Sequence, residues 1–220
     1  MLFRSDRAVL DAADLAGVDV ALEFTHAEAA AANCGALLAA RVPVVCGTTG
    51  WADGLGAVRR LATETGTGFL WAPNYALGVQ VTFRLARAAA QWLARVGGFA
   101  PYLVEEHHQA KRDAPSGTAR RLAEILVENT PGKKAFGLAP ADAALPPELV
   151  PVAWVRAGAI PGTHRVGWDG TGETLEIVHR ARGREIFADG AVTAAEWLKG
   201  HPGPRTLDEM LDDMLAGAGH

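Results

Sequence analysis

The chain has 220 residues, 49% of them hydrophobic and 21% charged, with a net charge of −4. That is enough apolar material for one large core or two modest ones. Acids and bases are interspersed, so no basic tract marks a nucleic-acid partner; no apolar run approaches the roughly eighteen residues of a membrane span, and the first six residues lack an apolar signal core. Two cysteines, Cys34 and Cys46, are too few for a disulfide framework and read as buried thiols of a cytoplasmic protein. Cys46 lies at a strand end beside a glycine, but no histidine is adjacent to activate it as a nucleophile.

In chain order, Ala8 to Ala16 reads as a helix, and Val18 to Phe24 as a short apolar strand ending at Thr25-His26. Ala27 to Ala40 is alanine-rich and helical. Val42 to Cys46 is a second strand, closed by Gly47-Thr48-Thr49-Gly50, and Trp51 to Thr65 is helical again. Gly68 to Trp71 is a third strand, ending at Ala72-Pro73-Asn74. Strands separated by helices of this length predict βαβ units and a parallel sheet whose carboxyl ends share one ligand-binding edge. Ala76 to Val96 follows as one long helix, with Val79, Phe83, Ala86, Ala90 and Leu93 at steps of three and four. Pro101 to His108 reads as a strand, Thr118 to Glu128 as a helix, and Ala135 to Pro151 as a long surface loop. Strands are predicted at Pro151 to Ala157, His164 to Trp168 and Glu173 to Ala181, the last two joined as a hairpin across Asp169-Gly170-Thr171-Gly172. Helices close the chain at Asp189 to Lys199 and Thr206 to Ala216, the second opening on a Thr206/Glu209 capping box. The fold class is therefore α/β: a Rossmann-type parallel-sheet domain at residues 1–77 and 189–220, and an α+β domain with an open mixed sheet at 78–188.

The chemistry concentrates between Glu105 and Ala119. His107, His108, Lys111 and Arg112 precede a helix start that Pro115 and the N-cap residue Ser116 define, with Gly117 and Thr118 behind it. Free N–H groups, the positive end of the helix dipole and a nearby ammonium make an anion site. Adjacent histidines on a strand face opposite ways, and neither Cys nor His spacing suggests a metal, so separate roles in proton transfer and ligand holding are predicted for the pair. A lysine by a turn, a lone histidine and a serine before a helix are each commonplace. Their spacing suggests an anion site and names no substrate.

The same residues resemble a known family. His107-His108-Gln109-Ala110-Lys111-Arg112-Asp113-Ala114-Pro115-Ser116-Gly117-Thr118-Ala119, with Glu105 before it, is similar at every fixed position to the signature Glu-x-His-His-x-x-Lys-x-Asp-Ala-Pro-Ser-Gly-Thr-Ala of 4-hydroxy-tetrahydrodipicolinate reductases. Glu23-Phe24-Thr25, Gly47 to Trp51, Ala72 to Val79, Arg156 to His164 and Phe187 to Ala191 resemble further family segments in the family's order. The resemblance implies reduction of a small cyclic dicarboxylate by NADH or NADPH, in the cytoplasm, by a homotetramer assembled through the mixed sheet. It implies His107 as proton donor/acceptor and Lys111 as proton donor. It gives substrate contacts to His108, Ser116, Gly117, Thr118 and, on a looser alignment, Arg184. It gives the nicotinamide Phe24, Thr25, Gly47, Thr48, Thr49, Ala72, Pro73, Asn74 and Tyr75.

The chain departs from the family pattern at its beginning. Residues 1–16 hold no glycine, whereas the family opens with a strand, a glycine-rich turn and a helix that binds pyrophosphate. The parallel-sheet domain is thus expected to be N-terminally truncated and to bind a dinucleotide poorly, and the preference between NAD and NADP is not legible. His26 stands where many relatives carry arginine. The rival reading is a catalytically impaired fragment or paralogue that binds a dicarboxylate or serves assembly.

Overall fold

The computed structural model describes residues 15–217. Its elements run β1 (Ala21–Glu23), α1 (Ala27–Ala39), β2 (Val44–Cys46), α2 (Ala52–Thr65), β3 (Phe69–Trp71), α3 (Leu77–Val96), β4 (Ala100–His107) and α4 (Gly117–Asn129). Then come β5 (Ala135–Gly137), β6 (Leu149–Arg156), β7 (Thr163–Asp169), β8 (Thr174–Arg180), α5 (Glu185–Leu198), β9 (Pro204–Arg205) and α6 (Leu207–Gly217). The helix expected at Ala8 to Ala16 lies outside the described residues apart from its last two positions. The chain divides into two units, residues 1–76 with 187–220, and residues 77–186.

The first unit holds a parallel sheet in the order β1-β2-β3-β9. Val44, Val45 and Cys46 are completely buried, as expected of a strand covered on both faces. Cys34, Leu37 and Leu38 of α1 pack with Val58 and Ala62 of α2 and with Phe69 to form its core. Gly66 ends α2 in the left-handed conformation, at φ 63°, where a side chain would be strained. Helix α5 lies so close to the turn after β3 that a Cβ on Gly190 would stand 1.7 Å from the Tyr75 carbonyl oxygen. The capping box of α6 forms: the Thr206 amide donates to Glu209 Oε2 at 2.7 Å and the Glu209 amide to Thr206 Oγ1 at 3.2 Å.

The second unit is a five-stranded mixed sheet in the order β5-β6-β4-β7-β8. Strands β5, β6 and β4 run parallel, β7 adds antiparallel to β4, and β8 antiparallel to β7. Helices α3 and α4 cover one face, where Leu103, Val152, Val166 and Trp168 meet Ala86, Leu122, Ile125 and Leu126. On the other face Tyr102, allowed across Gly167, donates to Glu176 at 2.6 Å, and Val155 and Val178 are exposed.

Three elements differ from the sequence reading. The segment expected to be a loop at Ala135 to Pro151 contains β5 and the start of β6, a three-residue edge strand whose short pairing leaves no periodic signal. Helix α5 begins at Glu185 rather than Asp189. Strand β9 is two residues long, and its proline is tolerated because the strand sits at the sheet edge.

Candidate active site

In the second unit a buried carboxylate organises the functional side chains. Alternation along β4 sends Glu105 and His107 to the helix-covered face with Leu103. Register brings Arg156 of β6 opposite His107 and His164 of β7 opposite Glu105. Glu105, wholly buried, accepts at Oε1 from Arg156 Nη2 at 2.7 Å and from the Ser116 amide at 3.0 Å. His107 Nδ1 and His164 Nε2 lie 3.3 and 3.6 Å from its other oxygen. Burial opposes the charge on Glu105. Hydrogen bonds from His164, Ser116 and Arg156 outweigh it and hold the carboxyl far below the usual range. Arg156 also donates to the Asp113 carbonyl at 2.7 Å, so one ion pair ties β4 and β6 to the loop before α4. Glu105, His107 and His164 are close enough to share a metal ion, but the guanidinium already bonded to Glu105 supplies the positive charge there.

Ser116 caps α4 as its sequence position predicts, accepting from the Ala119 amide at 3.2 Å, and its hydroxyl lies 3.1 Å from His164 Nε2. With the Ser116 amide held by Glu105, the N–H groups of Gly117 and Thr118 open the helix without acceptors inside it. The Ala114–Pro115 peptide is cis. Lys111 pairs with Asp113 at 2.8 Å beside this start. His107 ends β4 and is buried, edge-on to His164 with ring centroids 5.2 Å apart, whereas His108 follows the strand and is exposed. Burial, reinforced by His164 and Lys111 and only partly offset by Glu105, lowers the His107 pKa to about 4, so the imidazole is neutral at neutral pH. Arg184 is exposed in the bend before α5. The sequence reading gave no role to Glu105, Arg156 or His164. The signal was the two-residue alternation that puts Glu105 on the face of His107.

In the first unit the other predicted residues collect at the carboxyl ends of β1, β2 and β3. Phe24 lies over Gly47, where a Cβ would stand 2.1 Å from its ring, and its ring centroid is 5.7 Å from that of Tyr75. Tyr75, buried, donates to the carbonyls of Cys46 and Leu70, each at 2.9 Å. Trp51 and Trp71 both donate to the Thr48 carbonyl, at 2.7 and 2.8 Å, and fix that turn. Asn74 accepts from the Ala76 amide at 2.8 Å. Thr25 and Thr49 flank the same edge, with Ala72 buried behind it and Pro73 exposed. Neither α1 nor α2 carries a side-chain cap at its N-terminus.

Two family models cover most of the chain: dihydrodipicolinate reductase, N-terminus, over residues 4–75, and dihydrodipicolinate reductase, C-terminus, over residues 78–211. The chain belongs to the dihydrodipicolinate reductase family. It is 36% identical over 198 residues to the 4-hydroxy-tetrahydrodipicolinate reductase of Christiangramia forsetii, a match spanning 90% of this chain and 81% of that protein. It is 42% identical over 208 residues to the enzyme of the same name from Anaeromyxobacter dehalogenans, spanning 89% and 73% of the two chains. Among solved structures, the dipicolinate-bound dihydrodipicolinate reductase from Paenisporosarcina sp. TG-14 superposes with a TM-score of 0.72 at 24% identity, over 86% of this chain and 71% of that one, and shares the fold. Within the dihydrodipicolinate reductase family fold, the N-terminal model falls on the unit with the parallel sheet and the C-terminal model covers the whole mixed sheet.

Proposed function

We propose that this chain reduces 4-hydroxy-tetrahydrodipicolinate to tetrahydrodipicolinate with NADH or NADPH, the reductase step of lysine and diaminopimelate biosynthesis. The carrying observation is the start of α4, braced by the buried Glu105–Arg156 pair and flanked by Lys111. The Gly117 and Thr118 amides, the Ser116 cap and the helix dipole offer one carboxylate site, and His108 and Arg184 serve the second. Lys111 is the proton donor. Its ammonium also favours negative charge developing on the ring. His107, neutral in its buried niche, takes up or returns a proton and does not act as a standing cation. His164 and Glu105 position His107 and Ser116 rather than touch substrate.

A bound nicotinamide supplies the hydride. The edge formed by Phe24, Thr25, Gly47, Thr48, Thr49, Ala72, Pro73, Asn74 and Tyr75 fits a flat ring: the Phe24 ring, seated on Gly47, and the Trp-anchored turn give firm walls. These residues bind and orient the cofactor, and tight orientation supplies much of the rate gain. The unit with the parallel sheet is the dinucleotide-binding domain, and the unit with the mixed sheet the substrate and oligomerisation domain. The enzyme works as a cytoplasmic homotetramer. No helix among the described residues is long and apolar enough to cross a membrane.

The test is spectrophotometric. At cofactor concentrations high enough to offset weak dinucleotide binding, the purified chain is expected to oxidise NADH or NADPH on addition of freshly generated 4-hydroxy-tetrahydrodipicolinate. Lys111→Ala is expected to lower kcat/KM by roughly 10²–10³-fold with an unchanged circular dichroism spectrum. No oxidation by either cofactor, or a fully active Lys111→Ala variant, contradicts the proposal.

A further inference from the structure

A second cluster of chemically potent side chains lies in the first unit, beneath the turns that follow β1 and β2. Glu23, the last residue of β1, Cys34 in the middle of α1 and Cys46, the last residue of β2, are all buried. One carboxylate oxygen and the two sulfurs lie within 4.8 Å of one another. Cys46 donates its S–H to Glu23 Oε2 at 3.1 Å. The other carboxylate oxygen accepts from the hydroxyl and amide of Thr25 and from Asn33 Nδ2. The groups bonded to this buried carboxylate are a hydroxyl, a backbone amide, a side-chain amide and a thiol. None of these groups is a cation. A buried carboxylate without a positive partner is expensive, and such groups are normally paired or bound to a metal. The Thr48 hydroxyl is buried close to the same carboxylate.

We propose that Glu23, Cys34 and Cys46 form a binding site for a thiophilic divalent cation of the zinc type, with a water as fourth ligand. Two sulfurs and one oxygen suit zinc, whose bonds of about 2.0–2.3 Å put tetrahedral ligands about 3.3–3.8 Å apart. The 3.1 Å sulfur–oxygen contact has only to open by a few tenths of an ångström, and the set, already within 4.8 Å, has to draw in by at most about 1 Å. On binding, each thiol releases its proton to solvent and the cation replaces the S–H···O bond. Thr25 and Asn33 act from outside as hydrogen-bond donors that fix the Glu23 ligand. The site would pin α1 to the ends of β1 and β2, directly behind Phe24 and Gly47, and so stabilise that edge.

The decisive experiment is cobalt substitution of the purified, metal-stripped full chain. Cobalt(II) is expected to bind stoichiometrically, with a tetrahedral visible spectrum and a thiolate-to-cobalt charge-transfer band, and to be displaced by zinc. Cys34→Ser and Cys46→Ser are each expected to weaken binding by at least about tenfold and to diminish that band. Glu23→Gln is expected to weaken binding while keeping the band. Absence of the thiolate band in the wild-type chain overturns the site, whether or not the variants fold. A band unchanged in both folded serine variants does so too, as does mass-spectrometric recovery of Cys34 and Cys46 as a disulfide under reducing purification.

Discussion

His107 is a buried histidine whose pKa has fallen to about 4 beside an ionised glutamate, and the sign of the shift has a stability consequence. The unfolded chain binds the proton near pH 6.5 and the folded one only near pH 4, so between these values the unfolded state holds more protons. The contribution is fully present above about pH 6.5 and is lost as pH falls toward 4. Glu105, whose pKa is also depressed, adds a loss of the same sign at more acid pH. His107→Gln is expected to flatten the rise in unfolding free energy between pH 4 and 6.5 by on the order of 2 kcal/mol, measured by urea titration across that range. A parallel slope in wild type and variant contradicts the neutral imidazole. Glu105→Ala leaves Arg156 without its buried partner and is expected to cost about 3 kcal/mol, read as a lower urea midpoint.

At the scale of elements, chain geometry rather than residue type decides which side chains meet. The period-two pattern of β4 and the cap at Ser116 were legible in the sequence, because each depends on neighbours within a few residues. The network they join was not. Arg156 and His164 reach Glu105 only through the pairing of β6 and β7 with β4, and register between strands so far apart in the chain leaves no local trace. The same holds for β5 and β9, too short to show a period, and for the meeting of Cys34 with Cys46, one in a helix and one in a strand. Most helices were legible to within a residue or two because their apolar spacing is local. The close packing of α5 gives an element-scale prediction. Gly190→Ala would drive a methyl carbon into the Tyr75 carbonyl, so the helix has to shift. A loss of about 1–3 kcal/mol in thermal or urea unfolding is expected. An unchanged melting temperature contradicts the contact.

For the molecule as a whole, the proposed function ties the parallel sheet to a dinucleotide and the mixed sheet to a small dicarboxylate. The proposed tetramer rests on the sheet face opposite α3 and α4, where Val155 and Val178 are exposed beside the Tyr102–Glu176 pair. Val178→Glu is expected to shift the species seen by analytical ultracentrifugation from tetramer toward smaller forms while the circular dichroism spectrum stays the same. A tetramer indifferent to that charge contradicts assembly through this face. The central claim is narrower: the start of α4 grips a ring with two carboxylates. It is tested most directly by nuclear magnetic resonance of the amide-labelled chain titrated with pyridine-2,6-dicarboxylate. The largest shifts are predicted at the Ser116, Gly117 and Thr118 amides, saturating together, and weakened in Lys111→Ala. Saturable binding that leaves those three amides unmoved, or no binding at all, would contradict the account.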